Sequence, residues 1–188
     1  QTGFDGCQEE LHPYAIAGIK RGYNVLTFEG PGQGAVIRLQ RIPFRPDWES
    51  VASPVIDYAV ARPEVDRDRV ALWGISLGGY LAPRAAAYEH RIAAVVADGA
   101  TYDVGLNFLN NIQKIGGPLA KMTRDEVKAY LLTDPAEFNN SINAQMKTNT
   151  KDRWLHEHGM FAFNANSPAL FWAKWMDFTL EGAAEKIR

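Results

Sequence analysis

A serine set among glycines, Gly74-Ile75-Ser76-Leu77-Gly78-Gly79, is the strongest chemical feature of this 188-residue chain. A serine hydroxyl is a weak nucleophile until a base takes its proton, and it must stand clear of the backbone to reach a carbonyl carbon. The pattern G-x-S-x-G meets the second need where a strand runs into the serine and a helix leaves it, because so sharp a turn has room only for small flanking residues. Arg69-Val70-Ala71-Leu72-Trp73-Gly74 reads as a buried strand charged only at its mouth, and Tyr80 to Tyr88 is dense in alanine, a strong helix former. Ser76 is therefore the candidate nucleophile, with Gly74 and Gly78 as the glycines of the elbow. The plainer alternative is a serine that caps a helix after a glycine turn.

Other residue types capable of chemistry offer less. Asp98 ends a predicted strand, where an acid could orient a base, but an aspartate there commonly serves a turn. His12 lies at the start of the first helix, and His90 follows the helix after Ser76, a favourable place for a cation at a helix end. His156 and His158 are two apart in a predicted helical region and so share no helix face, which disfavours a metal site. Glu29-Gly30-Pro31-Gly32-Gln33-Gly34 lacks both the Gly-Lys-Ser/Thr ending of a phosphate loop and the G-x-G-x-x-G spacing of a dinucleotide site. It reads as a turn or as a border of a substrate cleft. The single cysteine, Cys7, rules out an intrachain disulfide framework and a cysteine-built zinc site. Neither a cofactor nor a metal is expected.

Behind these residues stands an alternation of helices and strands. Leu11 to Ile19 has a helical apolar pattern, with Pro13 near its start and Gly22 placed for a left-handed residue after its end. Gly22-Tyr23-Asn24-Val25-Leu26-Thr27-Phe28 reads as a strand, a helix is predicted from about Asp47 with a bend or break at Pro54, and Ile92 to Ala97 reads as another buried strand. Strands alternating with helices imply an α/β fold built on a parallel sheet. From Tyr102 onward helix signals dominate: Thr123 with Glu126 forms a capping box, Asp134-Pro135 and Ser167-Pro168 each place a cap before a first-turn proline, and Gly116-Gly117-Pro118 ends a helix over Leu106 to Ile115. The expected division is an α/β part over residues 1–101 and a helical insertion over residues 102–188, rich in rings such as Trp154, Phe161, Phe163, Phe171, Trp172, Trp175 and Phe178.

Composition excludes several classes. Lys plus Arg number 20 against 22 for Asp plus Glu, and no long basic run offers nucleic acid or an anionic membrane an electrostatic footprint. No apolar run approaches the roughly 20 residues of a membrane-spanning helix. A cytoplasmic location is the default expectation.

Together these stretches resemble the α/β-hydrolase superfamily, and within it the group of 2,6-dihydropseudooxynicotine hydrolase, the fungal polyketide-shortening hydrolases and the FrsA-like esterases. The resemblance covers nearly the whole chain. It rests on Gly3-Phe4-Asp5 with Glu9-Glu10, on Gly22 to Val25 leading into Phe28 to Gly34, on Arg45-Pro46-Asp47-Trp48, and on the elbow with Tyr80 to Ala86. It implies that Ser76 is the nucleophile and that the backbone N–H of Leu77 donates to the oxyanion. Thr2-Gly3-Phe4 stands where relatives carry a loop supplying the second oxyanion donor, the N–H of Phe4, although Phe4 could equally be a core residue under a loop.

The family's chain order is serine, acid, histidine, with the acid after the strand that follows the insertion and the histidine after the last strand. Neither position falls within these residues, so the resemblance implies a fragment of such an enzyme, with about three strands of a larger sheet. The helical insertion is expected as a cap over the carboxyl end of that sheet, which suggests an apolar or aromatic small-molecule substrate. The implied activity is serine-dependent hydrolysis of an ester or of a C–C bond next to a carbonyl. A catalytically incomplete, ligand-binding member of the fold is the alternative, and a peptidase of the prolyl oligopeptidase type is disfavoured because nothing suggests its propeller. An exposed sheet edge leaves a homo-oligomer open.

Overall fold

The computed structural model describes residues 1–188, Ile115 by its backbone alone. Contacts divide the chain into two compact units, one of Gln1–Tyr102 with Leu180–Arg188 and one of Asp103–Thr179. The last nine residues thus group with the α/β part rather than with the helices that precede them.

In the first unit, helix α1 spans His12–Ile19 with Pro13 in its first turn, where a missing N–H costs nothing. Gly22, at φ +83°, closes it: its N–H bonds Ile19 O at 2.9 Å while Tyr23 N–H reaches back to Gly18 O at 3.2 Å, the paired bonds of a Schellman end. Helix α2 (Glu49–Val60) runs on through Pro54 instead of breaking there. Pro54 and Ser50 both lie on the exposed side, so the Ser50 carbonyl that loses its helical donor can be solvated. Strand β1 (Val70–Ile75) leads through the serine turn into α3 (Gly78–Ala86), and β2 (Ile92–Asp98) returns parallel to β1, with Leu72 opposite Val95 and Gly74 opposite Ala97.

These two strands form the sheet; the expected strand at Gly22 to Phe28 is not one. Its β-branched and aromatic residues suit a pleated surface, yet that preference is realised only against a neighbouring strand. Among the described residues none pairs with this segment, and Tyr23, Val25 and Leu26 are exposed.

Helix α3 is the centre of this unit. Tyr80, Leu81, Ala82 and Ala85 are fully buried, as is Trp48 just before α2. Two polar ties fix α3 to the α2 region: Tyr80 Oη–H donates to Pro46 O at 3.0 Å, and Arg84 forks onto both oxygens of Glu49 at 2.8 and 2.9 Å. Such bidentate pairing adds direction as well as attraction.

The second unit contains α4 (Val104–Ile115), α5 (Arg124–Leu132), α6 (Ala136–Thr148), α7 (Thr150–Ala162) and α8 (Pro168–Trp175). Gly116 and Gly117, at φ +84° and +92°, end α4, and Thr123 with Glu126 makes the reciprocal capping box of α5. Ser167 caps α8 ahead of Pro168, as its sequence suggests. Asp134 does not cap α6: Pro135 takes the cap position, and the Asp134 carboxylate instead accepts from Ser167 Oγ and from Asn139 Nδ2. An N-cap residue takes extended backbone, whereas Asp134 is left-handed at φ +53°, which is why this cap signal misleads. Phe108, Leu109, Val127, Leu131, Ala169, Ala173 and Met176 form one core, on which Trp172 stacks against Phe108 at 4.2 Å. The unit closes at its base, where Asp103 and Thr179 make an antiparallel bridge and Val104 N–H donates to Phe178 O at 2.9 Å. Among the described residues no helix is long and apolar enough to cross a membrane.

Candidate active site

Ser76 sits between the end of β1 and the start of α3 with φ +59°, in the left-handed region that L residues other than glycine rarely adopt. Neighbouring backbone holds it there. Ser76 N–H donates to Asp98 O at the end of β2 (2.8 Å), and Gly79 N–H closes the turn on Ser76 O (2.8 Å). The turn is tight enough that side chains are excluded around it. A Cβ on Gly74 would fall 1.9 Å from Gly78 O, one on Gly78 would lie 2.8 Å from Thr2 O, and one on Gly79 would lie 3.0 Å from Asp98 O. Ser76 itself is exposed, and among the described residues nothing hydrogen-bonds its hydroxyl.

Leu77 packs its side chain into the core at 6% exposure, which leaves its N–H as one of the unpaired donors at the first turn of α3. Among the described residues no group accepts from it. The helix dipole adds to its attraction for a negative oxygen.

The segment before Phe4 reaches the same place from the other side. Gln1 pairs with β1 in parallel fashion, its N–H on Trp73 O at 2.6 Å and its carbonyl accepting from Ile75 N–H at 3.3 Å. That pairing delivers Gly3 against the elbow: a Cβ on Gly3 would stand 2.9 Å from both Leu77 N and Ser76 Cβ. The Phe4 ring is buried and stacks on Phe44 with centroids 6.5 Å apart. An oxyanion role asks only for the backbone N–H of Phe4, so ring burial and that role are compatible.

Gln33, embedded in a turn-like glycine run, lies against this same segment. It is fully buried, and its carboxamide is fully used: Nε2 donates to Thr2 O at 2.9 Å and Gly3 O at 2.8 Å, while Oε1 accepts from Gly30 N–H at 2.9 Å. Nothing local in the sequence marks a bond to backbone thirty residues away. The glycine run around it offers no phosphate cradle. Glu29 already accepts from Gln8 N–H and Ala35 N–H at 2.9 and 2.7 Å, with the α-carbon of Gly34 packed onto its carboxylate. Cys7, Glu9 and Glu29 bring ligand-type atoms within 4.8 Å of one another, but both Glu29 oxygens are committed to these N–H groups, which leaves a poor donor set for a cation.

None of the remaining candidates brings its side chain to Ser76 by a hydrogen bond. Asp98 lends its backbone carbonyl to the turn, and its side chain is exposed. His12 is exposed in the first turn of α1, and His90 turns a ring nitrogen to the α3-end carbonyl of Ala87 at 3.1 Å. His156 is buried in the helical unit with both nitrogens engaged. Nε2 accepts from Trp172 Nε1–H at 3.1 Å, so Nδ1 carries the proton and donates to Asp152 O at 2.7 Å. Burial lowers its pKa from 6.5 and keeps it neutral. His158 stacks on Trp154 with centroids 6.5 Å apart.

The chain is similar to several curated fungal hydrolases. It is 33% identical to hydrolase acrC of Aspergillus aculeatus over 99% of this chain and 42% of the relative, and 35% identical to 20-hydroxy-prefusarin hydrolase FUS2 of Gibberella moniliformis over 89% of this chain and 39% of the relative. The chain therefore spans about two fifths of the length of these relatives. The crystal structure of 2,6-dihydroxy-pseudo-oxynicotine hydrolase shares its fold, with a TM-score of 0.70 at 20% identity over 100% of this chain and 41% of that one. Residues 3–184 match the alpha/beta hydrolase family, and with a strand-turn-helix serine elbow inside the matched span, the chain belongs to that family.

Proposed function

We propose that this chain carries the nucleophile and oxyanion half of a serine hydrolase acting on an ester, or on a C–C bond next to a carbonyl, in an apolar or aromatic small molecule. One observation carries the reading: Ser76 is held at φ +59° with its hydroxyl exposed, inside a turn whose neighbours are too close for side chains. A non-glycine residue in that conformation costs about 1–2 kcal/mol, and of the four such residues Ser76 alone stands in a strand-turn-helix elbow with a nucleophilic hydroxyl.

In this mechanism Ser76 Oγ attacks the carbonyl carbon as a base removes its proton, and the carbonyl π electrons move to oxygen. The N–H groups of Leu77 and Phe4 stabilise that oxyanion, each donor being worth typically about 3–4 kcal/mol. Collapse expels an alkoxide from an ester. From a C–C substrate it expels a carbanion, which a second carbonyl stabilises as an enolate. Either leaving group takes up the proton removed from serine, and water then releases the acyl group from Ser76. The name of the prefusarin hydrolase relative supports a small-molecule substrate.

Ser76→Ala in the full-length protein is expected to lower p-nitrophenyl ester turnover by at least about 1,000-fold and to abolish labelling by a fluorophosphonate probe, with the melting temperature preserved. Unchanged turnover would sink the assignment.

A further inference from the structure

The carboxamide of Gln33 does more than close a turn. Its two N–H bonds diverge from one nitrogen and reach two successive carbonyls, those of Thr2 and Gly3, at 2.9 and 2.8 Å. In a trans peptide the C=O and N–H of one unit point in opposite directions. With both carbonyls turned onto Gln33, the N–H groups of Gly3 and Phe4 are both turned away from it. Gly3, the residue between these two peptides, abuts Ser76 Cβ and Leu77 N, as the 2.9 Å approach of its missing Cβ to each shows. The amide cannot flip to another arrangement, because its oxygen accepts from Gly30 N–H at 2.9 Å and the side chain is fully buried.

We propose that Gln33 is a positioning residue of the oxyanion hole: it locks the Gly3–Phe4 peptide so that the Phe4 N–H is presented beside that of Leu77 before substrate arrives. This rests on the Ser76 reading above. A preorganised donor spends nothing on reorientation during the reaction, whereas a loop free to rotate its peptide would. Gln33 touches neither substrate nor reacting atoms, so its effect belongs in the rate of the chemical step rather than in substrate affinity.

The test uses the full-length enzyme with Gln33→Glu and Gln33→Asn. The first keeps the shape and, while ionised, removes both donated hydrogen bonds. The second fits within the same cavity and so preserves folding, but it falls short of the two carbonyls by one methylene. Each preparation is titrated with a fluorophosphonate to count competent serines, and kcat and KM for a p-nitrophenyl ester are expressed per labelled site. Loss of a whole oxyanion donor lowers kcat by about 100–1,000-fold, so a misplaced donor is expected to lower it by about 10–100-fold, with KM within about twofold. For Gln33→Glu the deficit should shrink as pH falls and the introduced carboxyl regains a proton to donate. A purely structural role would reduce the labelled fraction and the melting temperature while leaving kcat per labelled site within twofold of the parent, and that result overturns the proposal. Failure of the parent enzyme to label at Ser76 would overturn the underlying serine reading instead.

Discussion

The serine elbow and the helical unit reach close packing by opposite routes. Around Ser76 the chain omits side chains, so that backbone meets backbone: Gly3, Gly74, Gly78 and Gly79 each lie where a Cβ would come within 3.0 Å of other atoms. In the helical unit the space is filled with rings. Phe163 and Phe171 meet at 5.4 Å, Phe163 and Phe178 at 5.3 Å, and all three are essentially fully buried. The elbow should therefore tolerate no added atom, and the helical unit no lost one. A turn held by backbone contact concentrates strain on one residue, Ser76, while ring packing spreads its stabilisation over many contacts.

The largest effect should come from the ring side. Phe171→Ala is expected to destabilise the protein by about 3–5 kcal/mol through the cavity it leaves, read by chemical denaturation. Gly74→Ala should follow closely, at the upper end of ordinary overpacking, about 3 kcal/mol, because the new methyl meets the Gly78 carbonyl rather than a side chain able to turn aside. A cost below about 1 kcal/mol there would break the contrast between the two regions. Ser76→Gly should act in the opposite sense, abolishing turnover while raising stability by about 0.5–1 kcal/mol as the left-handed strain is relieved.

The smallest effect is one of pH. His156 is buried and neutral in the helical unit, whereas His12 and His90 in the first unit are exposed. Its folded-state pKa lies below 6.5, so above that pH neither folded nor unfolded chain holds the extra proton. As pH falls below 6.5, the unfolded chain protonates first and stability drops until the folded pKa is passed. His156→Gln should flatten that part of the curve in a pH series of denaturation midpoints, and an unchanged slope would place the acid sensitivity elsewhere.

The same contrast explains what could be read in advance. Ser76, Gly74 and Gly78 were legible because few residue types fit a strand-turn-helix elbow, so the constraint is written locally. The helices from Val104 to Trp175 were legible from their caps and breakers, as at Thr123, Ser167 and Gly116. Gly22 to Phe28 was misread because strand formation depends on a partner, which no local pattern reports. At Pro54 a break was one of two expectations, and α2 does not break there because the side of the helix that carries Pro54 and Ser50 faces water. Gln33 escaped because its three hydrogen-bond partners include residues thirty positions away, and a glutamine in a glycine turn looks like an ordinary surface polar residue until its burial is known.

The neck of the helical unit has a consequence for how such proteins diversify. Asp103 bridges Thr179, and one step further out Leu180 N–H donates to Tyr102 O at 2.8 Å, so the chain departs and returns side by side, antiparallel. Seventy-odd residues are thus strung on two neighbouring backbone positions that a two-residue hairpin could join. A segment attached in this way can be shortened, lengthened or exchanged between relatives without rethreading the scaffold. Changes between Asp103 and Thr179 can then accumulate without disturbing the backbone contacts that hold the serine turn.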